Sequence, residues 1–279
     1  LSTLVEPTYS APLTEEAANK IGLPPGLPVI IGGADGALNQ IGAGAMSEGI
    51  MTLSVGTSGA LRLASSKPVI PDEPSTWCYY LAEGKRIAGA ATAGAGNCVD
   101  WFVQRLNSDS GLGFNELETR AEAINKAEAP IFLPFLYGER CPGWNDQRQG
   151  GFYGLKGSHL IGDMYYSLLE GILFNLYHCY IILTEVMEIP GEIRISGGIT
   201  NSDMWLQMAA DIFQREIITS EIEHASIIGG VALALSAMGN IKSLEDFSPP
   251  MGERVVPNEE RAEFYSRRFQ KYLHVYKSI

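Results

Sequence analysis

The sequence has few cysteines, histidines and cations, and each shortage argues against a class of protein. Four histidines and four separated cysteines, with no C-x-x-C pair, are too few and too scattered for a structural zinc site; reduced intracellular thiols are the expectation. Lys and Arg number 20 against 32 Asp and Glu, which gives a net charge of −12. Such a balance argues against a general nucleic-acid surface or an anionic-membrane surface. The cysteines are Cys78, Cys98, Cys141 and Cys179.

Long hydrophobic runs and a targeting segment are also missing. Residues 1–16 contain neither a basic region nor an apolar stretch of the kind that forms a signal peptide. The longest uncharged apolar segment, 171–184, lies between Glu170 and Glu185 and is too short to span a bilayer. We therefore expect a soluble, cytoplasmic protein with no membrane partner. The chain begins with Leu, which indicates processing or a piece of something longer.

The sequence is rich in apolar residues and in glycine. The chain has 279 residues, of which 46% are hydrophobic and 31 are glycine. A chain of this length can bury a large core, and the sequence favours two lobes over one. Numerous glycines predict tight turns and places where another molecule approaches the backbone closely.

Residues 29–63 combine two features that suggest phosphate chemistry. An apolar run at 29–33 predicts a buried strand that delivers Asp35 to a sheet edge, where ligands bind in open α/β sheets. The turn Gly56-Thr57-Ser58-Gly59 then separates two strand-like runs, 50–55 and 60–63, and such a turn can direct several N–H groups at one anion. Each feature also has a plain alternative, because Asp is a common turn residue and a Gly-rich turn between strands is a common hairpin.

A short helix rich in small residues is predicted at 37–46, between those two features. It contains Gly42 and Gly44, and glycine inside a helix costs about 1 kcal/mol relative to alanine. The glycines therefore indicate either close packing or a hinge, and we interpret this helix as a hinge between lobes.

The rest of the chain alternates predicted strands and helices. A second hairpin is expected at 76–91, and a turn containing Gly96 leads into a helix at 98–106. A strand at 192–196 is followed by Gly197 and Gly198, then by a helix at 203–214 capped by Asn201 or Ser202. Glycine before a helix N-terminus is compatible with a bound phosphate, and equally with a tight strand-to-helix turn.

Three further features carry predictions of their own. The apolar helix predicted at 163–187 should be central, with Glu170 in a structural ion pair or near the site and His178 as a satisfied core residue. The long loop 137–154 is either functional or a structural loop in which Arg140 forms a salt bridge. A helix at 225–238, with glycines near its start, is expected to pack closely or to lie beside an adenine.

Five ordered blocks resemble the later half of the FGGY carbohydrate kinases. They read GGADGALNQIGAGA, SVGTSG, PFLYGERCPGWNDQRQGGFYGL, LEGILFNLY and SGGITNSDMWLQMAADIF. The resemblance implies an α/β, actin-like (ribonuclease-H-like) ATPase lobe with a mixed sheet flanked by helices. It also implies ATP-dependent phosphorylation of a sugar, sugar-acid or polyol hydroxyl. Local similarity is greatest to gluconokinases, which make 6-phosphogluconate; xylulokinases and glycerol kinases are the alternatives.

The resemblance also assigns roles to individual residues. The catalytic base falls on Asp35, and the turn that contacts the transferred phosphate falls on Gly56, Thr57 and Ser58. The remaining nucleotide-side positions are Gly96, Gly197, Gly198 and Ser202. ATP and Mg²⁺ are the implied cofactors, and no residue is assigned as a metal ligand.

The resemblance implies that residues 1–47 end an N-terminal sugar-binding lobe and include the inter-lobe helix. Residues 48–279 would then form the C-terminal nucleotide-binding lobe. The family's other half is absent from this chain, so we expect the chain alone to be inactive and the strand at 29–33 to lack neighbours. An unpaired edge of this kind invites a homodimer. A nucleotide-binding module without kinase activity, or a non-enzymatic actin-like ATPase lobe, are the other hypotheses.

Overall fold

Eleven strands and eight α-helices are present in the computed structural model, which describes residues 2–108, 111–222 and 224–278. The strands are β1 (Ser10–Pro12), β2 (Pro28–Ile30), β3 (Ile50–Val55), β4 (Gly59–Ser65), β5 (Trp77–Tyr80), β6 (Arg86–Thr92), β7 (Ile131–Leu133), β8 (Gly151–Tyr153), β9 (Glu192–Ser196), β10 (Ile217–Ser220) and β11 (Met251–Val255). The helices are α1 (Glu15–Ile21), α2 (Asp35–Gly42), α3 (Gly96–Trp101), α4 (Phe114–Glu122), α5 (Ile161–Val186), α6 (Asp203–Phe213), α7 (Ala225–Ala237) and α8 (Ala262–Ser278).

A seven-stranded mixed sheet organises the chain, as expected. Its strand order is β11-β10-β9-β3-β4-β6-β5. Strands β3, β9 and β10 run parallel to one another, and the remaining neighbours are antiparallel. Strands β3 and β9 begin and end where the sequence predicts. Each is a short run of alternating or continuous β-branched and apolar residues, bounded by glycine or polar residues.

One face of the sheet is covered by α5, the longest helix. Its residues Leu168, Ile172 and Leu176 are fully buried, together with Met51, Leu53, Leu61 and Leu63 from the central strands. By length and hydropathy alone α5 could cross a membrane, but 72% of its most apolar window is buried inside the protein. The central position predicted for this apolar helix is therefore confirmed.

The opposite face is covered by α2 and α7, which cross at very short distance. A methyl group on Gly42 would collide with the carbonyl oxygen of Ala225, and one on Gly229 with that of Leu38. Close packing therefore accounts for Gly42 and for Gly229, whereas the hinge preferred from the sequence stays a prediction. Because side chains alternate along β3 and β4, Thr52, Ser54 and Arg62 point toward this face while their neighbours enter the α5 core.

The N-terminal strand pair corrects one expectation. Strand β2 is not buried: Val29 is 47% exposed and Ile31 is 62% exposed. Among the described residues β2 pairs with β1 alone. The apolar run that predicted a buried strand is therefore a strand with one neighbour, and its side chains are largely exposed to solvent. The strand also ends at Ile30, and Asp35 is instead the first residue of α2.

Glu170 forms the structural ion pair that was the favoured alternative. Its carboxylate accepts hydrogen bonds from Arg268, with an Nε–Oε1 distance of 3.1 Å, and the two side chains are 1% and 3% exposed. Arg268 also donates to the carbonyl oxygens of Ala129 and Pro130. The pair joins α5 to α8 in the interior of the protein.

His178 is packed as predicted but is not satisfied. Its ring meets Tyr276 edge-on, with centroids 5.0 Å apart, yet its buried Nδ1 has no hydrogen-bond partner among the described residues. Burial lowers the pKa of His178 to about 4. The imidazole is therefore held neutral in the fold.

The loop that was expected across 137–154 ends in β8, which pairs with β7 in a separate two-stranded sheet. Its salt bridge is formed by Arg148 and not by Arg140: Arg148 Nη1 lies 3.3 Å from Glu139 Oε2. The Tyr276 hydroxyl of α8 also donates to Glu139, at 2.6 Å. Both contacts hold the loop against the body of the protein and leave the exposed Arg140 pointing elsewhere.

Candidate active site

The turn between β3 and β4 stands between two cavities. On one side a cleft of about 550 Å³ contains Gly56 and Thr57 in its wall. On the other side a pocket of about 420 Å³ contains Ser58 and Gly59. A single short turn thus forms part of both walls.

Seven of the eight residues predicted for the site line these two cavities. Gly56, Thr57, Gly96, Gly198 and Ser202 line the larger cleft, whereas Asp35 and Ser58 line the smaller pocket. The eighth, Gly197, has φ +98° and sits so close to the backbone of Val55 and Gly56 that a β-carbon would collide with it. The structure therefore gathers all eight around one turn.

The hydrogen bonds show which backbone donors of the turn are free. The Gly56 amide donates to the Ser58 carbonyl at 3.0 Å and so closes the turn. Among the described residues, the amides of Thr57 and Ser58 have no hydrogen-bond partner. The amides of Thr57 and Ser58 are thus free donors at the tip of the turn, whereas the Gly56 amide is used within it.

Gly96 also bonds to this turn. Its amide donates to the Gly56 carbonyl at 2.7 Å, and the next amide, of Asn97, donates to the Thr57 carbonyl at 3.1 Å. The first two amides of α3 therefore bond to this turn and are not free for a ligand. Of the two alternatives for this helix start, the tight strand-to-helix turn is the one that the structure contains. Ser202 likewise caps α6, where its hydroxyl accepts from the Trp205 amide at 3.1 Å.

Asp35 is presented by the first turn of α2. Its Oδ1 accepts from the Gly36 amide at 2.7 Å, and the helix dipole favours a negative charge at this position. A buried hydrogen bond holds α2 against the sheet: the side-chain oxygen of Gln40 accepts from the Thr52 hydroxyl of β3 at 2.6 Å. Arg194 of β9 adds a hydrogen bond to the Ala43 carbonyl at the other end of the helix. Asp35 itself is exposed to the pocket.

The pocket around Asp35 contains residues that were not assigned to the site. Arg62 and Arg140 supply positive charge, and Trp77 and Tyr79 stack on each other with ring centroids 5.0 Å apart. Burial lowers the pKa of Arg62 from its ordinary value, opposed by Tyr79 and Asp35; burial also raises the pKa of Tyr79. One signal could have indicated Arg62, since it is the only charge in an otherwise apolar strand.

The larger cleft has aromatic and acidic walls that were not predicted either. Phe114, Tyr165 and Trp205 provide flat apolar surface, and Asp100 and Glu118 provide acceptors. These residues come from α3, α4, α5 and α6. A volume of about 550 Å³ lies within the range of small-molecule and cofactor sites.

Comparisons with known proteins identify the family to which the chain belongs. Residues 51–238 match the sequence profile of the C-terminal domain of the FGGY family of carbohydrate kinases. The chain belongs to the FGGY family of carbohydrate kinases. Its seven-stranded sheet is accordingly that of the family's actin-like ATPase fold, so the predicted fold class is confirmed.

Individual FGGY kinases resemble the chain over nearly all of its length. Gluconokinase from Bacillus licheniformis is 33% identical over 276 residues, which are 95% of this chain and 54% of the relative. The structures of a gluconate kinase and of a xylulose kinase from Lactobacillus acidophilus each superpose with a TM-score of 0.93 at 29% identity, covering 98% of this chain and 56% of theirs. The chain thus spans about half the length of the FGGY kinases that it matches.

Proposed function

We propose that the full-length protein containing this chain transfers a phosphoryl group from ATP to a hydroxyl of a sugar or sugar acid. Gluconate is the proposed substrate and 6-phosphogluconate the product. The observation that carries the proposal is that Asp35 shares its pocket with Ser58, while Thr57, the other free donor of the same turn, lines the adjoining cleft. A base next to an anion site is what transfer to a hydroxyl requires.

The proposed chemistry assigns one task to each residue. Asp35 accepts the proton of the attacking hydroxyl as that oxygen bonds to the γ-phosphorus, and the bond from γ-phosphorus to the bridging oxygen breaks to release ADP. The amides and hydroxyls of Thr57 and Ser58 meet the charged oxygens of the transferred group. General-base assistance of this kind contributes about 10²–10⁴-fold.

The larger cleft is the proposed nucleotide site. Its aromatic walls at Phe114 and Trp205 suit a purine, and the carboxylates of Asp100 and Glu118 suit donors such as ribose hydroxyls. The described residues contain no cluster of three potential metal ligands. Mg²⁺ fits this site as an ion held mainly by phosphate oxygens and water, which is its usual manner of binding beside nucleotides. It would supply positive charge to the phosphates.

Gluconate is preferred over xylulose and glycerol because of the relatives. Gluconokinases from two Bacillus species are 33% and 32% identical to the chain, against 30% or less for the xylulose kinases. The difference is small, so a xylulokinase- or glycerol-kinase-type activity is the alternative. A panel of gluconate, xylulose and glycerol with ATP and the full-length protein distinguishes these candidates; a higher kcat/KM for either neutral substrate would contradict the gluconate assignment.

The division of the chain is also a proposal. Residues 1–47 would end the sugar-binding lobe and residues 48–279 would form the nucleotide lobe. Much of the apolar surface near the N-terminus is uncovered, which suits contact with the rest of a longer protein, or with a second copy in a homodimer. Its exposed side chains are Leu4, Val5, Tyr9, Ile21, Leu23, Leu27, Val29 and Ile31. Light scattering of the full-length protein tests the dimer. A cytoplasmic location follows from the use of ATP and is tested by fractionation.

Asp35→Asn in the full-length protein tests the catalytic assignment. We expect ATP affinity to be retained and kcat to fall by roughly 10²–10⁴-fold, because the base alone is removed. Asp72→Asn is the matched control, since Asp72 lines neither of these cavities. Near-normal kcat in the Asp35 variant would overturn the assignment.

The module hypothesis is tested on the chain alone. All the nucleotide-side residues lie in this chain, so calorimetry should detect ATP binding to it, whereas turnover should require the full-length protein. ATP binding by both, with turnover by neither, would favour a nucleotide-binding module over a kinase.

A further inference from the structure

The pocket beside Asp35 concentrates positive charge in an acidic protein. Two arginines and one aspartate face this cavity of about 420 Å³, whereas the whole chain carries a net charge of −12. Neither arginine lines the larger cleft on the other side of the turn. The local excess of cations therefore belongs to the acceptor side and not to the nucleotide side.

Arg62 has hydrogen-bonding capacity that the protein does not use. Its Nη1 donates to the Ser54 hydroxyl at 3.2 Å and the Tyr79 hydroxyl lies beside the guanidinium, but its buried Nε has no acceptor in hydrogen-bond geometry among the described residues. A buried cationic donor without an acceptor is costly, and natural structures seldom retain one without a role. The Arg62 side chain lines the pocket, so a ligand anion there would meet its guanidinium and offset this cost.

Arg62 and Asp35 face the same pocket without pairing to each other. No ion pair joins them in the described part of the chain. Their charges are nevertheless close enough to interact: burial lowers the pKa of Arg62, and the negative charge of Asp35 acts in the opposite direction. Each is held by its own neighbours: Asp35 by the Gly36 amide, and Arg62 by the hydroxyls of Ser54 and Tyr79. The base and the cation are thus kept separate, so both are available to a ligand.

Arg140 contributes the second charge from the loop that follows β7. It is exposed, and no salt bridge to it occurs among the described residues. The neighbouring amide of Cys141 donates to Ala91 of β6 at 3.0 Å, which fixes the backbone beside Arg140 at the edge of the pocket. The aromatic pair Trp77 and Tyr79 forms apolar wall between the charged groups and suits a carbon chain.

We propose that Arg62, assisted by Arg140, binds the carboxylate of a sugar acid and thereby selects aldonates over neutral sugars. The proposal rests on the proposed kinase function and names its substrate class. A guanidinium matches a carboxylate with two parallel hydrogen bonds, which a neutral sugar cannot form. The transferred phosphoryl group is met instead at Thr57 and Ser58, the free donors at the tip of the turn.

The test uses the full-length enzyme with gluconate and with glucitol, its neutral counterpart in which CH₂OH replaces the carboxylate. Arg62→Gln should lower kcat/KM for gluconate by about 10–100-fold, the usual value of a charged hydrogen bond, and leave that for glucitol unchanged. Arg62→Lys should recover only part of the loss, because it keeps the charge and loses the planar fork. Arg86→Gln is the matched control, since Arg86 lies on the adjacent strand outside the pocket.

Other results would overturn the assignment. An equal loss with both substrates would mean that Arg62 serves the phosphoryl group, and no loss would mean that it is structural. If Arg62→Gln does not fold, as judged by lost ATP binding, Arg140→Gln is measured with the same substrates and the same expected asymmetry. Absence of any phosphorylated sugar with the wild type would contradict the proposed function itself. Gluconate turnover that is insensitive to both substitutions would contradict only the carboxylate site.

Discussion

The amide of Gly96 donates to the carbonyl oxygen of Gly56 at 2.7 Å, so the start of α3 is attached directly to the turn between β3 and β4. The contact leaves no space for a side chain: a β-carbon on Gly96 would lie 2.6 Å from the same oxygen. The two glycines are far apart in sequence, yet together they set the position of the turn that separates the two cavities.

Gly96→Ala should therefore displace the turn and impair nucleotide binding. Overpacking of this kind costs about 1–3 kcal/mol, and the displaced partner is backbone that cannot rotate away. We expect a lower free energy of unfolding in urea and at least a roughly tenfold weaker ATP affinity by calorimetry, the equivalent of about 1.4 kcal/mol. Gly157→Ala is the control, because a β-carbon there meets nothing within 4 Å. Equal ATP affinity in the two variants would contradict this account of Gly96.

Thr52→Val tests how α2 is held on the sheet. The substitution removes the donor to Gln40 and leaves a buried amide oxygen without a partner, which costs about 1–3 kcal/mol. Because α2 carries Asp35, we also expect kcat of the full-length enzyme to fall more than KM rises. Thr184→Val is the comparison, since that hydroxyl bonds only to carbonyls of its own helix. A stable variant with reduced kcat would still support the positioning role; unchanged stability and kcat would refute it.

Local features of the fold could be predicted from the sequence because their causes are local. Strand β3 is bounded by glycines and β9 by a glycine pair, and Ser202 caps α6 through a hydrogen bond within three residues. The exposure of β2 could not be predicted from its local pattern, because an apolar run of this kind is typical of a buried strand. The family resemblance, which implies a strand without neighbours, was the better guide, although β2 does pair with β1.

The residues of the candidate site likewise fall into those that a local motif marks and those that only the packing of the fold brings together. Glycines and an Asp in short motifs mark Asp35 and the turn. Arg62 stands out in the sequence as the single charge of β4, but its place in the pocket is known only once the face of β4 that meets α2 is known. The aromatic walls at Phe114, Tyr165 and Trp205 come from three helices and share no motif. Their convergence depends on how the helices pack, which spacing along one sequence does not contain.

Arg268→Met should destabilise the protein in a pH-dependent way. It leaves the carboxylate of Glu170 buried without its partner, a change that costs about 3–5 kcal/mol. Burial already raises the pKa of Glu170, and without Arg268 the protonated form is favoured further. A carboxyl with a raised folded-state pKa loses stability as pH rises, so the loss relative to wild type should be larger at about pH 8 than at about pH 5.

The double variant Glu170→Gln with Arg268→Met provides the control for that prediction. It contains no buried charge at this position, so it should be more stable than Arg268→Met alone at about pH 8 and should lack the extra pH dependence. Denaturant unfolding of wild type, both single variants and the double variant at both pH values completes the cycle. A pH-independent loss in Arg268→Met would mean that Glu170 does not carry the effect.

His178 predicts the behaviour of the protein in acid. Its pKa is about 4 in the fold, lowered first by burial and then by Lys277 and Arg148, against an ordinary value of 6.5. Between these values the unfolded chain binds more protons than the folded one, so stability falls as the pH decreases below about 6.5. The part due to His178 should reach on the order of 2 kcal/mol by about pH 5, because a tenfold change in proton binding corresponds to about 1.4 kcal/mol.

His178→Gln should therefore flatten the dependence of the free energy of unfolding on pH between about 6.5 and about 5, whatever it does to stability at higher pH. His274, which is exposed on α8, provides the matched control for the loss of a histidine. The slope is the informative quantity because it counts protons taken up on unfolding, whereas a lost packing contact shifts the whole curve. A wild-type slope in His178→Gln would show that the ring is protonated in the fold at mildly acidic pH, and the unpartnered Nδ1 would then need another explanation.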